Sequence, residues 1–217
     1  MFKIGMFIVG IAVIFYGFSE FRLSKAASDE PTTLELAEIE SGTADLSNAH
    51  VVIGPHVADY YECIFEYEGG NEMKDTDKVT YAYYPILSSQ HPYVVGMNRL
   101  YEQHPEGIPE EIPLPDMGVI SVLVKTEQFP TIADIPEDMI LEKQVQGLFV
   151  NKIEKLDKDE IDLLKDSYPA IDPEKVLLLD KARTPTPAGI TFGIMGGGAL
   201  VCVFAILWMV LPGRRQA

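Results

Sequence analysis

Residues 187–211 read PAGITFGIMGGGALVCVFAILWMVL, a run without a single charged side chain. A helix rises about 1.5 Å per residue and a bilayer's hydrocarbon core is about 30 Å thick, so roughly 20 apolar residues suffice to cross it. This run exceeds that length and predicts a transmembrane helix. Pro187 suits the first turn of such a helix, where its missing N–H has no intrahelical partner to lose. Trp208 falls at interfacial depth, and Arg214 and Arg215 follow it as a headgroup stop. Whatever precedes the run is thereby held beside a bilayer.

The N-terminus, MFKIGMFIVGIAVIFYGFSEF, carries 16 uncharged residues between Lys3 and Glu20. That is short for a span unless Lys3 and Arg22 snorkel or the bilayer thins. A cleaved signal peptide is the competing reading, with Lys3 as its positive start and Ser24-Lys25-Ala26 as a small-x-small site. Glu20, Arg22 and Lys25 crowd that cleavage region, which favours an uncleaved anchor over residues 1–21. Two spans put both termini on one side. The short Lys3 start is that of a signal anchor, which places both termini in the cytoplasm and the intervening domain outside it, in the cell membrane.

Residues 28–183 have the length of one ordinary domain with room for a core. The whole chain has 17 Lys+Arg against 33 Asp+Glu; setting aside Lys3, Arg22, Lys25, Arg214, Arg215 and Glu20 leaves 12 against 32, a net of minus 20 for the domain. A field of that sign repels phosphate backbones and acidic headgroups, so nucleic acid is excluded as a partner and cationic groups are favoured. The two cysteines, Cys63 in the domain and Cys202 in the apolar run, are too far apart in this layout to pair, and no disulfide framework is implied.

Along the domain, residues 34–42 read as a short amphipathic helix, with a strand as the alternative, stopped by Gly42. After a break at Gly54-Pro55, Tyr61, Cys63, Phe65 and Tyr67 alternate with Glu62, Ile64, Glu66 and Glu68, the period-two pattern of a strand with one wet face. KVTYAYYPILSS, from Lys78, is its hairpin partner. Further strands are predicted over residues 118–126, from Gln144 through the interrupting Gly147, and over KVLLLDKAR. A helix runs from Asp157-Lys158-Asp159-Glu160 to Ser167, with Ile161, Leu164 and Tyr168 on one face and Pro169 beyond. Strand and helix do not alternate through the first half. The expected class is therefore α+β: a small mixed sheet or partly open β-barrel with two or three helices, flanked by the two transmembrane helices.

Four histidines exist. His50 and His56, with Asp59 and Cys63 further on, offer the imidazole, carboxylate and thiolate that zinc or copper would use, although Gly54-Pro55 separates the two histidines and Cys63 falls on the apolar face of its strand. Surface histidines and a buried thiol are the plainer reading. His91 and His104 each precede a proline and are expected in extended loops, where an acid-base or metal pair with Glu102 or Glu106 would need two loops to meet. The chain has no G-x-S-x-G, phosphate-binding glycine loop, H-E-x-x-H or C-x-x-C, and Asp75-Thr76-Asp77 lacks the glycine and terminal glutamate of a calcium loop. No cofactor is implied.

EQHPEGIPEEIPLPD, residues 102–116, holds four prolines, Pro105, Pro109, Pro113 and Pro115, and five carboxylates. Such a chain stays extended at low entropic cost, as a partner's groove or basic surface requires; an ordinary surface loop is the alternative. In the apolar run, Gly189, Gly193 and Gly197 recur every four residues and share a helix face, as do Gly10 and Gly17 on the first span. Small residues admit another helix closely, whether the chain's own other span, a second copy, or another membrane protein.

The layout, a span, a compact mixed domain, a second span and a short basic tail, resembles the two-span "beside a membrane" arrangement of GIDE-type proteins and the assembly-factor family named for Surfeit locus 1. QVQGLFVNKIEKL is similar to the glycine-centred strand of the former. With two cysteines there is no RING module, so no ligase activity carries over. Two functions follow as expectations: a non-catalytic membrane-anchored accessory or scaffold protein whose acidic domain binds a protein partner or assembles a membrane complex, or a membrane-tethered enzyme or metal handler using His50 and His56.

Overall fold

The computed structural model describes residues 2–210 apart from 71, 110, 153–157, 169–170 and 174. Asp157, Pro169, Arg214 and Arg215, to which the sequence assigns helix-cap, helix-stop and headgroup roles, lie outside the described residues. The chain divides into two units: one built from Met1–Asp29 and Pro185–Ala217, the other Glu30–Thr184.

The first unit is a pair of helices, α1 (Phe2–Ala26) and α5 (Ala188–Val210). Both are long and apolar enough to cross a membrane, and most of each helix is left uncovered by the rest of the protein. They pack antiparallel through small residues. A methyl group at Gly10 would sit 2.5 Å from Cys202 Sγ, one at Gly198 2.9 Å from the Gly10 carbonyl oxygen, and one at Gly17 2.7 Å from Met195 Cγ. Only glycine admits so close an approach. The charges bounding the N-terminal run are both engaged: Lys3 Nζ donates to the Trp208 carbonyl at 2.7 Å, and Glu20 Oε2 accepts from Thr186 Oγ1 at 2.7 Å. Near Glu20 the Phe21 and Phe192 rings lie 5.1 Å apart.

The second unit is α+β. Its strands are β1 (Thr32–Leu34), β2 (His50–Ile53), β3 (His56–Asp59), β4 (Ile64–Glu68), β5 (Lys78–Leu87), β6 (Val122–Thr126), β7 (Met139–Glu142), β8 (Val145–Phe149) and β9 (Leu177–Asp180). They form one mixed sheet in the order β1-β2-β8-β9-β6-β5-β3-β7, with β4 beside β5. β1–β2 and β6–β9 are parallel; the other pairs are antiparallel. Among the described residues three α-helices accompany them, α2 (Leu36–Glu40), α3 (Pro92–Gln103) and α4 (Lys158–Ser167).

The sheet cannot be flat. β8 and β7 stand third and eighth in that order, five spacings or about 24 Å apart in a flat sheet, yet only Lys143 and Gln144 join them, a reach of at most about 11 Å. The registers explain how both hold. His50 pairs with Leu148 and Ile53 with Val145 in β2–β8, and His56 with Glu142 and Asp59 with Met139 in β3–β7, so one antiparallel ribbon continues in step across Gly54-Pro55 and Lys143-Gln144. Its two halves belong to opposite ends of the sheet, which therefore curls into a half-barrel. Pro55 has no N–H to give a ladder, which suits it to the bend.

Inside the curl, Val51, Ile53, Ala58, Tyr60, Tyr84, Ile86, Val122, Val124, Phe149 and Leu179 form the main core. Against the other face of β3 and β5, Val57 and Leu87 pack with Tyr93, Val94 and Met97 of α3. β5 is consequently buried on both faces over much of its length. Gly147 is the place where β8 meets the end of β9: a methyl group there would lie 2.3 Å from the Asp180 carbonyl oxygen.

Several sequence expectations need correction. The strand over residues 61–67 begins only at Ile64, because Tyr60–Cys63 is a turn closed by the Cys63 N–H on the Tyr60 carbonyl at 3.1 Å. The hairpin with β5 is present, with a bulge between Glu66 and Tyr67. The strand over residues 118–126 is confined to Val122–Thr126, and the one from Gln144 ends at Phe149 in a 3-10 turn, Val150–Lys152. His91 has the extended backbone expected before a proline (φ −58°, ψ 134°), but it and His104 flank a helix instead of lying in long loops. They bracket α3: the His91 imidazole accepts from the Tyr93 N–H at 3.3 Å with Pro92 opening the helix, and the His104 N–H closes on the Leu100 carbonyl. Proline excludes helix from the residue before it but favours helix starting at itself.

Candidate functional site

α3 presents Tyr93, Val94 and Met97 to the sheet at helical spacing. The proline-rich segment then folds back over α3, and Pro115 crosses so closely that a methyl group at Gly96 would stand 2.8 Å from its Cγ. Between α3, that segment and the start of β7 lies a groove of about 370 Å³, lined by Tyr61, Tyr93, Met97, Tyr101, Ile108, Pro109, Ile112, Leu114, Glu137, Asp138 and Met139. Tyr61, Tyr101 and Leu114 are 65%, 48% and 46% exposed, a cluster of large side chains left open to solvent. Of the four prolines singled out in the sequence, Pro109 lines the groove and Pro115 lines an adjoining cavity of about 270 Å³ with Glu62, Tyr93 and Tyr168. Pro105 and Pro113 line neither. A broader depression of about 500 Å³ near His91 contains Glu40, whose carboxylate already accepts from the Ser88 N–H at 2.8 Å and hydroxyl at 2.5 Å.

The histidine set proposed for a metal is dispersed. His56 and Asp59, three apart on β3, point to opposite faces of the strand. The His50 ring accepts from the Gln146 side-chain amide at 3.0 Å. Cys63 is a free thiol that burial pushes up to about 12, far from a metal-binding thiolate. Among the described residues no three His, Cys, Asp or Glu side chains converge on a point where an ion could sit.

His56 belongs instead to a network at the bend of the ribbon. Its Nδ1 bonds the Gly54 carbonyl at 2.8 Å, and its Nε2 stands 3.7 Å from Glu142 Oε2, too far for a hydrogen bond. Burial holds the imidazole below its ordinary pKa, against the opposing pull of Gly54 and Glu142. Glu142 in turn accepts from the Tyr60 hydroxyl at 2.5 Å, and burial, together with that bond, keeps the phenol protonated. A neutral imidazole, a carboxylate and a phenol fasten the bend. They line none of the three cavities described, so the network offers no atom to a substrate there.

Asp59 has no such partners. It is fully buried, and its carboxylate oxygens make no hydrogen bond of full geometry; the groups that approach them are the backbone amides of Tyr61 and Glu62. Burial, and secondarily Glu62, raise its pKa to about 6, opposed by the backbone amides of Glu62 and Tyr61. Asp59 and Val57 share one face of β3, and Val57 packs with the groove residues Tyr93, Met97 and Met139; Met139 is also the cross-strand partner of Asp59. A buried carboxylate with no counter-charge among the described residues thus stands behind the inner wall of the groove.

The groove residues on α3 belong to no element expected from the sequence. Their signal was the recurrence Tyr93, Val94, Met97, Leu100, Tyr101, a helical stripe hidden behind His91-Pro92. Gly189, Gly193 and Gly197 are exposed on α5, with open space where a side chain would stand; Gly10, Gly17 and Gly198 make the contact between the two helices. No protein-family model, curated protein or solved structure matches this chain.

Proposed function

We propose that this protein is a membrane-anchored accessory or scaffold protein, without catalysis of its own, whose acidic domain docks a protein partner in the groove beside α3. The groove carries the reading: exposed tyrosine and leucine side chains flank a formed apolar trough, the arrangement of a docking surface. Anchoring is supported by the two apolar helices, whose outward side chains, among them Ile4, Phe15, Leu200 and Phe204, are exposed and would be solvated by lipid. The exposed face of Gly189, Gly193 and Gly197 fits a further membrane helix, from a second copy or from the partner. The orientation in this proposal puts the domain outside the cytoplasm. The resemblance of this layout to "beside a membrane" and Surfeit-locus-1-type proteins is what suggests an assembly role.

A photo-crosslinking side chain at Tyr101, in native membranes, should give a discrete adduct. The same group at Val95, which is exposed on α3 but absent from the groove lining, should not. Gly96→Val, which pushes on Pro115 and distorts the groove, should abolish the Tyr101 adduct. Equal adducts at both positions would refute the docking reading.

A further inference from the structure

We infer that the groove beside α3 receives one cationic side chain, a lysine or arginine set among apolar residues of an extended partner segment, with Asp59 as the buried counter-charge behind it. The inference rests on the docking reading and adds its chemistry. Tyr61, Tyr93 and Tyr101 supply aromatic faces, which attract a cation while packing against its aliphatic stem. The charged side chains of the lining, Glu137 and Asp138, are both acidic. Asp59 is the independent observation. Buried charges are rare without an opposite charge, and among the described residues the groups acting on Asp59, the Glu62 side chain and the backbone amides of Glu62 and Tyr61, together with Tyr93 of α3 and Tyr168 after α4, which feel its charge, include no cation. A neutral occupant would leave that carboxylate as it is; a cation brought against Tyr93 and Met139 would supply the missing opposite charge. The domain's net charge of minus 20, from 12 basic and 32 acidic residues, draws such a segment in from a distance.

The test uses the full chain in phosphatidylcholine nanodiscs, whose neutral lipid does not itself collect cationic peptide. The probes are a blocked Ser-Val-Lys-Val-Ser pentapeptide and its norleucine analogue, titrated calorimetrically against empty discs at pH 7.5. The lysine peptide should bind at least about tenfold more tightly, on the order of 1.4 kcal/mol. Asp59→Asn should bring the two affinities together while raising the unfolding midpoint, so that loss of preference is not loss of fold. Tyr101→Ser should weaken both peptides. A preference that survives Asp59→Asn, or no binding of either peptide, overturns the inference. Equal affinities abolished by Tyr101→Ser would overturn the charge assignment and leave the docking groove standing; equal affinities that Tyr101→Ser does not touch would remove both.

Discussion

Asp59→Asn keeps the shape of the side chain and removes its charge, so it isolates what a buried carboxylate without a counter-charge does to this domain. Asp59 moves from 3.8 to about 6 on folding. At 1.36 kcal/mol per unit this corresponds to roughly 3 kcal/mol as an upper bound, and roughly 2 kcal/mol once residual solvent screening is allowed for. The sign follows from proton binding: the folded protein holds this proton more tightly than the unfolded chain, so the contribution of Asp59 to stability is greatest below pH 3.8 and is lost as pH rises through about 6. Above that, the wild type carries a buried charge that the asparagine variant lacks. The many other acids titrate in both proteins, so the difference between the two is the quantity to measure. Denaturation by guanidinium, followed by circular dichroism on the full chain in mild detergent from pH 4 to 8, gives it; Trp208, the only tryptophan, lies in α5 and does not report on the domain. Asp59→Asn should gain about 2 kcal/mol on wild type between pH 4 and 7.5 and be the more stable protein at the upper end. A difference that stays flat with pH, or a variant less stable than wild type at pH 7.5, would show that Asp59 already has a partner in the free protein.

Gly147→Ala drives a methyl group to 2.3 Å from the Asp180 carbonyl, backbone that cannot rotate aside, and should destabilise the domain by about 3 kcal/mol in the same denaturation assay; a loss below about 1 kcal/mol would mean that β9 moves freely. Gly198→Ile should part α1 from α5, read as loss of a cysteine crosslink engineered between the helices, whereas Gly193→Ile should leave that crosslink and weaken association with other chains. If the two variants behave alike in both readouts, the division of glycine faces is wrong. Protease added to intact cells should remove the domain Glu30–Thr184; degradation only after lysis would invert the proposed orientation.

What the sequence determined by itself are properties that need no partner elsewhere in the chain. The two apolar runs, the acidic composition between them, the β4–β5 hairpin and the helix ending at Ser167 all follow from local periodicity and charge. α3 is present in that same local signal, with Pro92 suited to a first helical turn and Tyr93, Val94 and Met97 at helical spacing behind it. The half-barrel, by contrast, depends on pairing between residues 50–59 and 139–148, with the register continuing through a bend, and nothing local encodes which end of the sheet each half joins. Tertiary structure alone decided which glycines face the neighbouring helix, because a shared stripe establishes a face but not its direction. It also turned Asp59 from one of 33 acidic residues into a distinctive one. A carboxylate's chemistry is set by the water and partners around it, and those come from segments far away in the sequence.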